Sequence, residues 1–221
     1  MTNFIPIFPL SIVVFPGETV NLHIFEPRYK QLIRECRDEK KPFGIPVVLD
    51  NKLQEMGTLV NIAEVVQEYE NGEMDIRVKG SRVFRSLEVI RAVPDKLFSG
   101  AIVNYPHNAD QGNDELMSAI LKAMKEMHRL LNINKDFKKP VPELNSYDIA
   151  HHVGLSIEEE YEFLGLLVEL QRQEYLKRHF RRILPVLMQI EQLKKKIKLN
   201  GHFKNLESLD LAIDYPDTPE E

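Results

Sequence analysis

The hexapeptide Ile24-Phe25-Glu26-Pro27-Arg28-Tyr29 marks the point at which a strand passes into a helix. The preceding stretch, residues 19–25, favours a strand. Pro27 stands at the predicted first helical position, where its fixed φ is suitable and its missing N–H costs no hydrogen bond. Beyond it, apolar side chains recur at i, i+3, i+4 and i+7, namely Tyr29, Leu32, Ile33 and Cys36. This spacing predicts a short amphipathic helix pinned onto a sheet.

The segments around the hexapeptide carry a family resemblance. They read Pro6-Ile7-Phe8-Pro9-Leu10, Val14-Phe15-Pro16-Gly17-Glu18 and Leu22 to Tyr29, followed later by Gly57-Thr58-Leu59 and Val78-Lys79-Gly80-Ser81-Arg82-Val83. Together they resemble the amino-terminal, substrate-binding domain of Lon proteases, in the form of the small stand-alone bacterial proteins that carry that domain alone. The resemblance runs from about Phe4 to about Leu199. It implies an amino-terminal β pseudo-barrel similar to the PUA-like fold and a polypeptide-binding function.

Length and composition indicate a globular protein that is not exported. The chain has 221 residues, 43% of them apolar, which is enough for one good core or two small ones. No apolar run approaches the 18 residues of a membrane span, and the apolar start lacks a basic signal region, so we expect a cytoplasmic protein. The single cysteine, Cys36, lies on the predicted buried face and is expected to be inert.

The first half of the chain has the turn signals and the alternating apolar residues of an all-β unit. Residues 4–15 predict a strand pair, and Asn71-Gly72 predicts a tight hairpin with two positive φ angles. After it, Met74, Ile76 and Val78 alternate with polar residues, as in a strand with one wet face. Val83, Leu87 and Val89 are expected on one side of the next strand. In all, some seven strands around one small helix predict a closed or half-closed barrel over residues 1–108.

The second half predicts a helical bundle over residues 109–204. Four helices are expected, each with its own apolar stripe: Leu116, Ile120, Met124, Met127 and Leu131 after a cap at Asn113 or Asp114; Ile149, Ala150 and Val153 after Ser146; Ile157, Tyr161, Leu164 and Val168 after a Ser156–Glu159 capping box; and Leu176, Phe180, Ile183, Leu187, Ile190, Leu193 and Ile197 in one long helix. Pro185 predicts a kink or break near Ile183. The fold class is therefore α+β, and residues 205–221 form an acidic tail predicted to be disordered.

Catalytic signatures are not found in the sequence. It contains no Gly-x4-Gly-Lys-Ser/Thr phosphate loop, no His-Glu-x-x-His and no Cys-x-x-Cys, so we expect no ATPase, metal or other cofactor site. The chain ends where the ATPase and Ser–Lys peptidase modules of a full Lon protease would begin. We therefore expect a non-catalytic protein.

Two readings of the hexapeptide remain open. In the structural reading, Phe25 and Tyr29 anchor the helix to the barrel while Glu26 and Arg28 satisfy one another. In the functional reading, the candidate residues Phe25, Glu26, Arg28 and Tyr29 form part of a groove for unfolded or tagged polypeptide.

The long helix also has two readings. Between Arg172 and Lys198 there are nine basic residues and two acidic ones, although the net charge of the chain is −5. These cations either cover the solvent face or bind nucleic acid, for which the candidates are Arg178, Arg181, Arg182, Lys194, Lys195 and Lys198. The net charge and the lack of interleaved aromatic residues disfavour nucleic acid. The apolar stripe is narrow enough for a coiled-coil seam between two copies, or for packing on the other helices.

The sequence thus favours a polypeptide-binding module acting as an adaptor or holdase, with a separate ATP-dependent protease as a further expected partner. A nucleic-acid-associated protein is the alternative.

Overall fold

The computed structural model describes residues 3–134, 137, 139–140 and 143–207, with side chains up to residue 198. Its elements in chain order are β1 (Asn3–Pro6), β2 (Thr19–Ile24), α1 (Pro27–Asp38), β3 (Phe43–Leu49), β4 (Lys52–Glu68), β5 (Met74–Ile90), β6 (Gly100–Asn104), α2 (Asp114–Leu131), α3 (Ser146–Ile149) with a 3₁₀ turn at Ala150–His152, α4 (Ile157–Leu164) and α5 (Glu169–Glu207). The α+β class is confirmed. The predicted tail begins inside α5, and from residue 208 onward it lies outside the described residues.

The strands form one antiparallel sheet that closes on itself. The order is β1-β6-β5-β4-β3, and β2 pairs with the free stretch of the long strand β5. After β1, Ile7 and Leu10 form parallel bridges to Gly44 and Val47 of β3, so the first segment touches both edges of the sheet. This closure leaves few exposed strand edges. The described part contains six strands instead of seven, and the predicted strand pair over residues 4–15 is wrong because only β1 is a strand there.

The hairpin between β4 and β5 lies where the Asn-Gly pair predicted it, but its geometry differs. Only Gly72 has a positive φ, at 76°. The Gly72 amide donates to the Tyr69 carbonyl at 2.8 Å, and the Tyr69 amide donates to the Glu73 carbonyl at 2.9 Å. This is a three-residue loop in which one left-handed residue follows a turn.

The predicted alternation along β5 holds at its start and fails near its end. Met74, Ile76 and Val78 are buried as expected. Val83 and Phe84 are both buried because they face two different apolar clusters, on opposite sides of the strand. Leu87 is exposed, so its predicted place beside Val83 is wrong, and the register between β5 and β6 shifts at this point.

The loop of residues 14–18 is clamped against the barrel. The hydroxyl of Thr58 donates to the Val14 carbonyl, and the Gly80 amide donates to the Glu18 carbonyl at 2.8 Å. A Cβ at position 80 would collide with the carbonyl oxygen of Phe15, so glycine is required by the close approach of two backbones. The clamp fixes the position of Phe15.

Phe15 lies in a core shared by the barrel and the helices. Its side chain is fully buried, 5.4 Å from the Tyr147 ring and 5.8 Å from the Phe163 ring. Val47, Met56 and Val83 from the strands belong to the same apolar cluster. Barrel and bundle are therefore joined by continuous hydrophobic packing.

The helices begin as predicted but bury somewhat different faces. Asn113 caps α2 by accepting from the Leu116 amide, and Ser156 and Glu159 form the capping box of α4. Leu131 is exposed, so the predicted α2 stripe is wrong at its end, and Val168 lies outside α4.

The predicted break at Pro185 is also wrong, because α5 continues through it. Pro185 is exposed on the helix surface, where water can reach the carbonyl that loses its hydrogen bond.

A buried ion pair fixes the start of α5. The Arg172 side chain is 1% exposed and its guanidinium lies 2.9 Å from the Glu169 carboxylate, which is 3% exposed. The same guanidinium donates to the Asn108 side chain, the Tyr147 hydroxyl and the Leu166 carbonyl. Glu169 also accepts from the amide and hydroxyl of Ser146. These bonds tie α5 to the linker of residues 105–113 between β6 and α2, to α3 and to the loop after α4.

A polar contact at the surface of the shared core links the barrel to the helical bundle. His151 lies between Glu160 of α4, at 2.7 Å, and Glu18 of the clamped loop, at 3.1 Å. Partial burial alone would lower the pKa of His151, but the hydrogen bonds and charges of the two carboxylates raise the pKa to about 9. The imidazolium therefore bridges barrel and bundle at neutral pH.

We expect Arg172→Met to lower the free energy of unfolding by about 3–5 kcal/mol, because it leaves the Glu169 charge buried without its partner. Denaturant titration measures this, with Arg178→Met on the exposed face of the same helix as the control. A loss no greater than that of the control would contradict the role assigned to the pair.

The His151 bridge should contribute stability in a defined pH range. Because the folded-state pKa of about 9 exceeds the ordinary value near 6.5, the contribution is complete below about pH 6.5 and is lost as pH rises through 9. We expect the free energy of unfolding of the wild type to exceed that of His151→Gln by about 1–3 kcal/mol at pH 6 and by little above pH 9.5. Unfolding titrations across this range check the prediction, and a constant difference at all pH values would refute it.

Candidate functional site

The hexapeptide forms the predicted junction between β2 and α1. Pro27 is the first helical residue, and the four residues of the predicted stripe are the buried residues of α1. Glu26 and Arg28 pair at 2.7 Å, as the structural reading expected. The Arg28 guanidinium also lies 4.5 Å from the centre of the Tyr29 ring.

Tyr29 is an anchor of α1. Its side chain is 7% exposed and its ring lies 4.0 Å from that of Phe8. Burial raises the pKa of the Tyr29 hydroxyl, an effect that the Arg28 charge partly offsets. A client could not reach this ring without unpacking the helix.

Phe25 is 57% exposed, so its predicted role as a second anchor is wrong. Its ring stacks 6.0 Å from His23, which in turn lies 6.2 Å from Tyr69. The structure therefore separates the predicted candidates: Phe25 belongs to an exposed aromatic patch beside the Glu26–Arg28 pair, whereas Tyr29 belongs to the interior.

The candidate nucleic-acid residues do not share one face. All six are exposed on α5, but a helix turns about 100° per residue, so the sixteen residues from Arg178 to Lys194 amount to a rotation of roughly 160° beyond complete turns. Arg178, Arg181 and Arg182 therefore lie together, and Lys194, Lys195 and Lys198 lie on nearly the opposite side and about 24 Å along the axis. Arg182 is also paired with Glu159 at 2.5 Å. This arrangement gives no continuous track for a phosphate backbone.

An apolar groove lies between α2 and α5. The two helices run in the same direction, because the Asn113 amide donates to Gln173 near their starts at 2.8 Å and, further along, Ala123 lines one groove with Leu184. The groove encloses about 370 Å³ and is lined by Leu116, Ala119, Ile120, Ala123, Lys177, Phe180, Arg181, Leu184, Pro185 and Met188. Its walls are almost wholly apolar and its two charged residues are basic.

The groove depends on small side chains that the sequence reading did not single out. Ala119 and Ala123 are four residues apart and so lie on one face of α2, where their methyl groups leave room against α5. Pro185 and Met188 form the opposite wall. The sequence signal for the groove was this pair of alanines beside the main apolar stripe of α2. It indicates a groove only when the helix that packs against α2 is known.

Potential metal ligands are not clustered in the described residues. Among them, no group of three or more His, Cys, Asp or Glu side chains could hold a metal ion. Cys36 is buried, and this burial raises the pKa of its thiol to about 12. No helix in the described ranges has the length and hydrophobicity to cross a membrane.

Fold and surface thus define a class: a closed β pseudo-barrel carrying a helical bundle with an open apolar groove. The family model of the ATP-dependent protease La (LON) substrate-binding domain matches residues 5–211 of this sequence, so the chain belongs to that family. The sequence-based recognition is confirmed, and membership supports a substrate-binding role. The family describes the substrate-binding part of Lon and not its ATPase or protease modules.

Solved structures agree with this assignment. A Lon N-terminal domain protein from Xanthomonas campestris is 25% identical, with a TM-score of 0.60, and the match covers 80% of this chain and 98% of that one. The N-terminal domain of the Mycobacterium avium complex Lon protease is 16% identical, with a TM-score of 0.59 and coverage of 81% and 99%, and shows the likeness of fold. Comparison with curated proteins gave no match.

The contrast between Phe25 and Tyr29 is testable. We expect Tyr29→Ala to lower the free energy of unfolding by about 3–5 kcal/mol because it leaves a cavity under α1. Phe25→Ala should change it by no more than about 0.5 kcal/mol because the ring is at the surface. Urea unfolding of both variants measures the difference, and similar losses would contradict the assigned positions.

Proposed function

We propose that the chain binds unfolded segments of other polypeptides in the groove between α2 and α5. The observation that carries this proposal is the apolar lining of that groove in a member of a substrate-binding family. An unfolded client exposes the apolar side chains that a folded protein buries, and the transfer of such side chains out of water lowers the free energy. The client class is therefore defined by exposed apolar segments.

Two basic side chains give the groove a positive charge. Lys177 and Arg181 both line it, and an arginine can donate two parallel hydrogen bonds to a carboxylate or to main-chain carbonyls. The preferred client segment is accordingly apolar with adjacent acidic residues. This assigns Arg181, a nucleic-acid candidate on sequence grounds, to polypeptide binding.

The exposed aromatic patch at Phe25 is a second contact for the same client. Aromatic rings provide large contact area with few rotatable bonds. Binding at two separated surfaces raises the overall affinity through effective concentration, although each site alone is weak because the client loses chain entropy.

Within the cell, this activity fits an adaptor or regulator of ATP-dependent proteolysis. The protein would hold unfolded or tagged clients in the cytoplasm and present them to a separate protease. A pull-down with a client-loaded protein distinguishes presentation to a protease from holding alone.

A substitution in the groove tests the proposal. Ala119 is exposed on the groove wall, so Ala119→Arg fills the space without removing a core side chain. We expect the affinity for a labelled, denatured client to fall at least about tenfold, equivalent to the loss of about 1.4 kcal/mol of binding free energy. Fluorescence anisotropy measures the affinity.

The matched control is Ser118→Arg, which places the same side chain on the adjacent exposed position outside the groove. It should bind clients as wild type does. Equal binding by both variants, with Phe25→Ala reducing affinity, would move the site to the aromatic patch. Absence of client binding by the wild type would refute the function itself.

A further inference from the structure

An uncovered apolar seam runs along the second half of α5. The residues that alternate in steps of four and three along one side of α5 are Arg172, Leu176, His179, Ile183, Val186, Ile190, Leu193 and Ile197. The first three are buried and Ile183 is partly buried. The last four are 43–62% exposed.

The short helices of this chain cover the first half of the seam. Arg172 donates to Tyr147 of α3, and His179 is hydrogen-bonded to the Val153 carbonyl at 2.8 Å. Arg182, beside the seam, pairs with Glu159 in the first turn of α4. Because α4 begins at Ile157, only two residues before Glu159, it does not cover α5 much beyond Arg182. The exposed half is therefore the continuation of an interface that is filled up to Ile183.

The uncovered half is strongly basic. Lys194, Lys196 and Lys198 flank it and have no ion pair among the described residues, whereas Lys195, which pairs with Glu191 at 3.8 Å, lies on the opposite side of the helix. A second copy of this helix would bring lysines against lysines. The charge thus favours an occupant that is apolar and acidic.

The chain itself contains such a segment. Residues 208–221, which lie outside the described residues, include Asp210, Asp214, Asp217, Glu220 and Glu221 and no Lys or Arg. Leu209, Leu211, Ile213 and Tyr215 alternate with the first of these acids, so an extended chain presents them on one side. We propose that this segment, from Ile213 onward, docks along the exposed seam of α5, with its acidic residues against the lysines.

The length of the segment permits this contact within one molecule. Tyr215 is eight residues past Glu207, and an extended chain of that length reaches about 27 Å. Leu193 lies fourteen residues back along the helix from Glu207, a distance of about 21 Å. The seam also faces nearly the opposite side of α5 from the α2–α5 groove, so this docking is independent of client binding.

Paramagnetic relaxation in the full-length chain tests the docking. A nitroxide is attached at Thr218→Cys, which leaves every acidic residue of the segment in place, and the native Cys36 is buried. We expect amide signals of residues 186–198 to lose most of their intensity in low salt. The signals should return near 1 M salt, where the screening length is about 3 Å.

Two variants and a mixing experiment decide the interpretation. Leu193→Gln with Ile197→Gln should abolish the broadening, whereas Ala119→Arg in the groove should leave it unchanged. Broadening that survives the seam variant, or absence of broadening in low salt, overturns the proposal. So does broadening that occurs only when labelled and unlabelled chains are mixed, because the occupant would then belong to a second copy.

Discussion

The buried ion pair of Arg172 and Glu169 sets the direction of α5, and most surfaces of the bundle follow from that direction. Burying two charges is unfavourable unless each finds several partners. Here the partners come from the linker at Asn108, from α3 and from the loop at Leu166, so three separate segments must assemble before the charges are satisfied. The pair therefore specifies one arrangement of the bundle more than it adds net stability.

The shared core at Phe15 carries this specification into the barrel. Because Gly80 and Thr58 hold the loop of residues 14–18 against the strands, the Phe15 ring is held in contact with Tyr147 and Phe163. A barrel formed with another loop position would leave this ring in water and a cavity in the bundle. Barrel, bundle and the His151 contact between them consequently form one packing arrangement, and α5 leaves it at a fixed angle.

The sequence predicted the features that depend on one element and missed those that need two. Tyr29, Leu32, Ile33 and Cys36 were correctly placed because a single helix on a single sheet has one buried face. Phe25 and Leu87 were misplaced because strand ends and register shifts change which side is buried. α5 is helical through Ile197 as predicted, but the point where burial along it stops is set by where α4 begins. Of the candidate site, the sequence singled out Phe25, Glu26 and Arg28, whose role in binding stays a prediction, whereas the groove required the relative position of α2 and α5.

The length of α5 explains why its two faces differ in use. One face packs against α2 and, because Ala119 and Ala123 are small, retains an open apolar groove. The other face packs against α3 and α4, which end before the helix does, and so continues as the exposed seam from Val186 to Ile197. A single helix thus presents two apolar surfaces on nearly opposite sides, the groove with Lys177 and Arg181 in its walls and the seam with Lys194, Lys196 and Lys198 beside it. Since both surfaces are basic, acidic apolar segments suit either, and the narrow groove and the open seam distinguish them by shape.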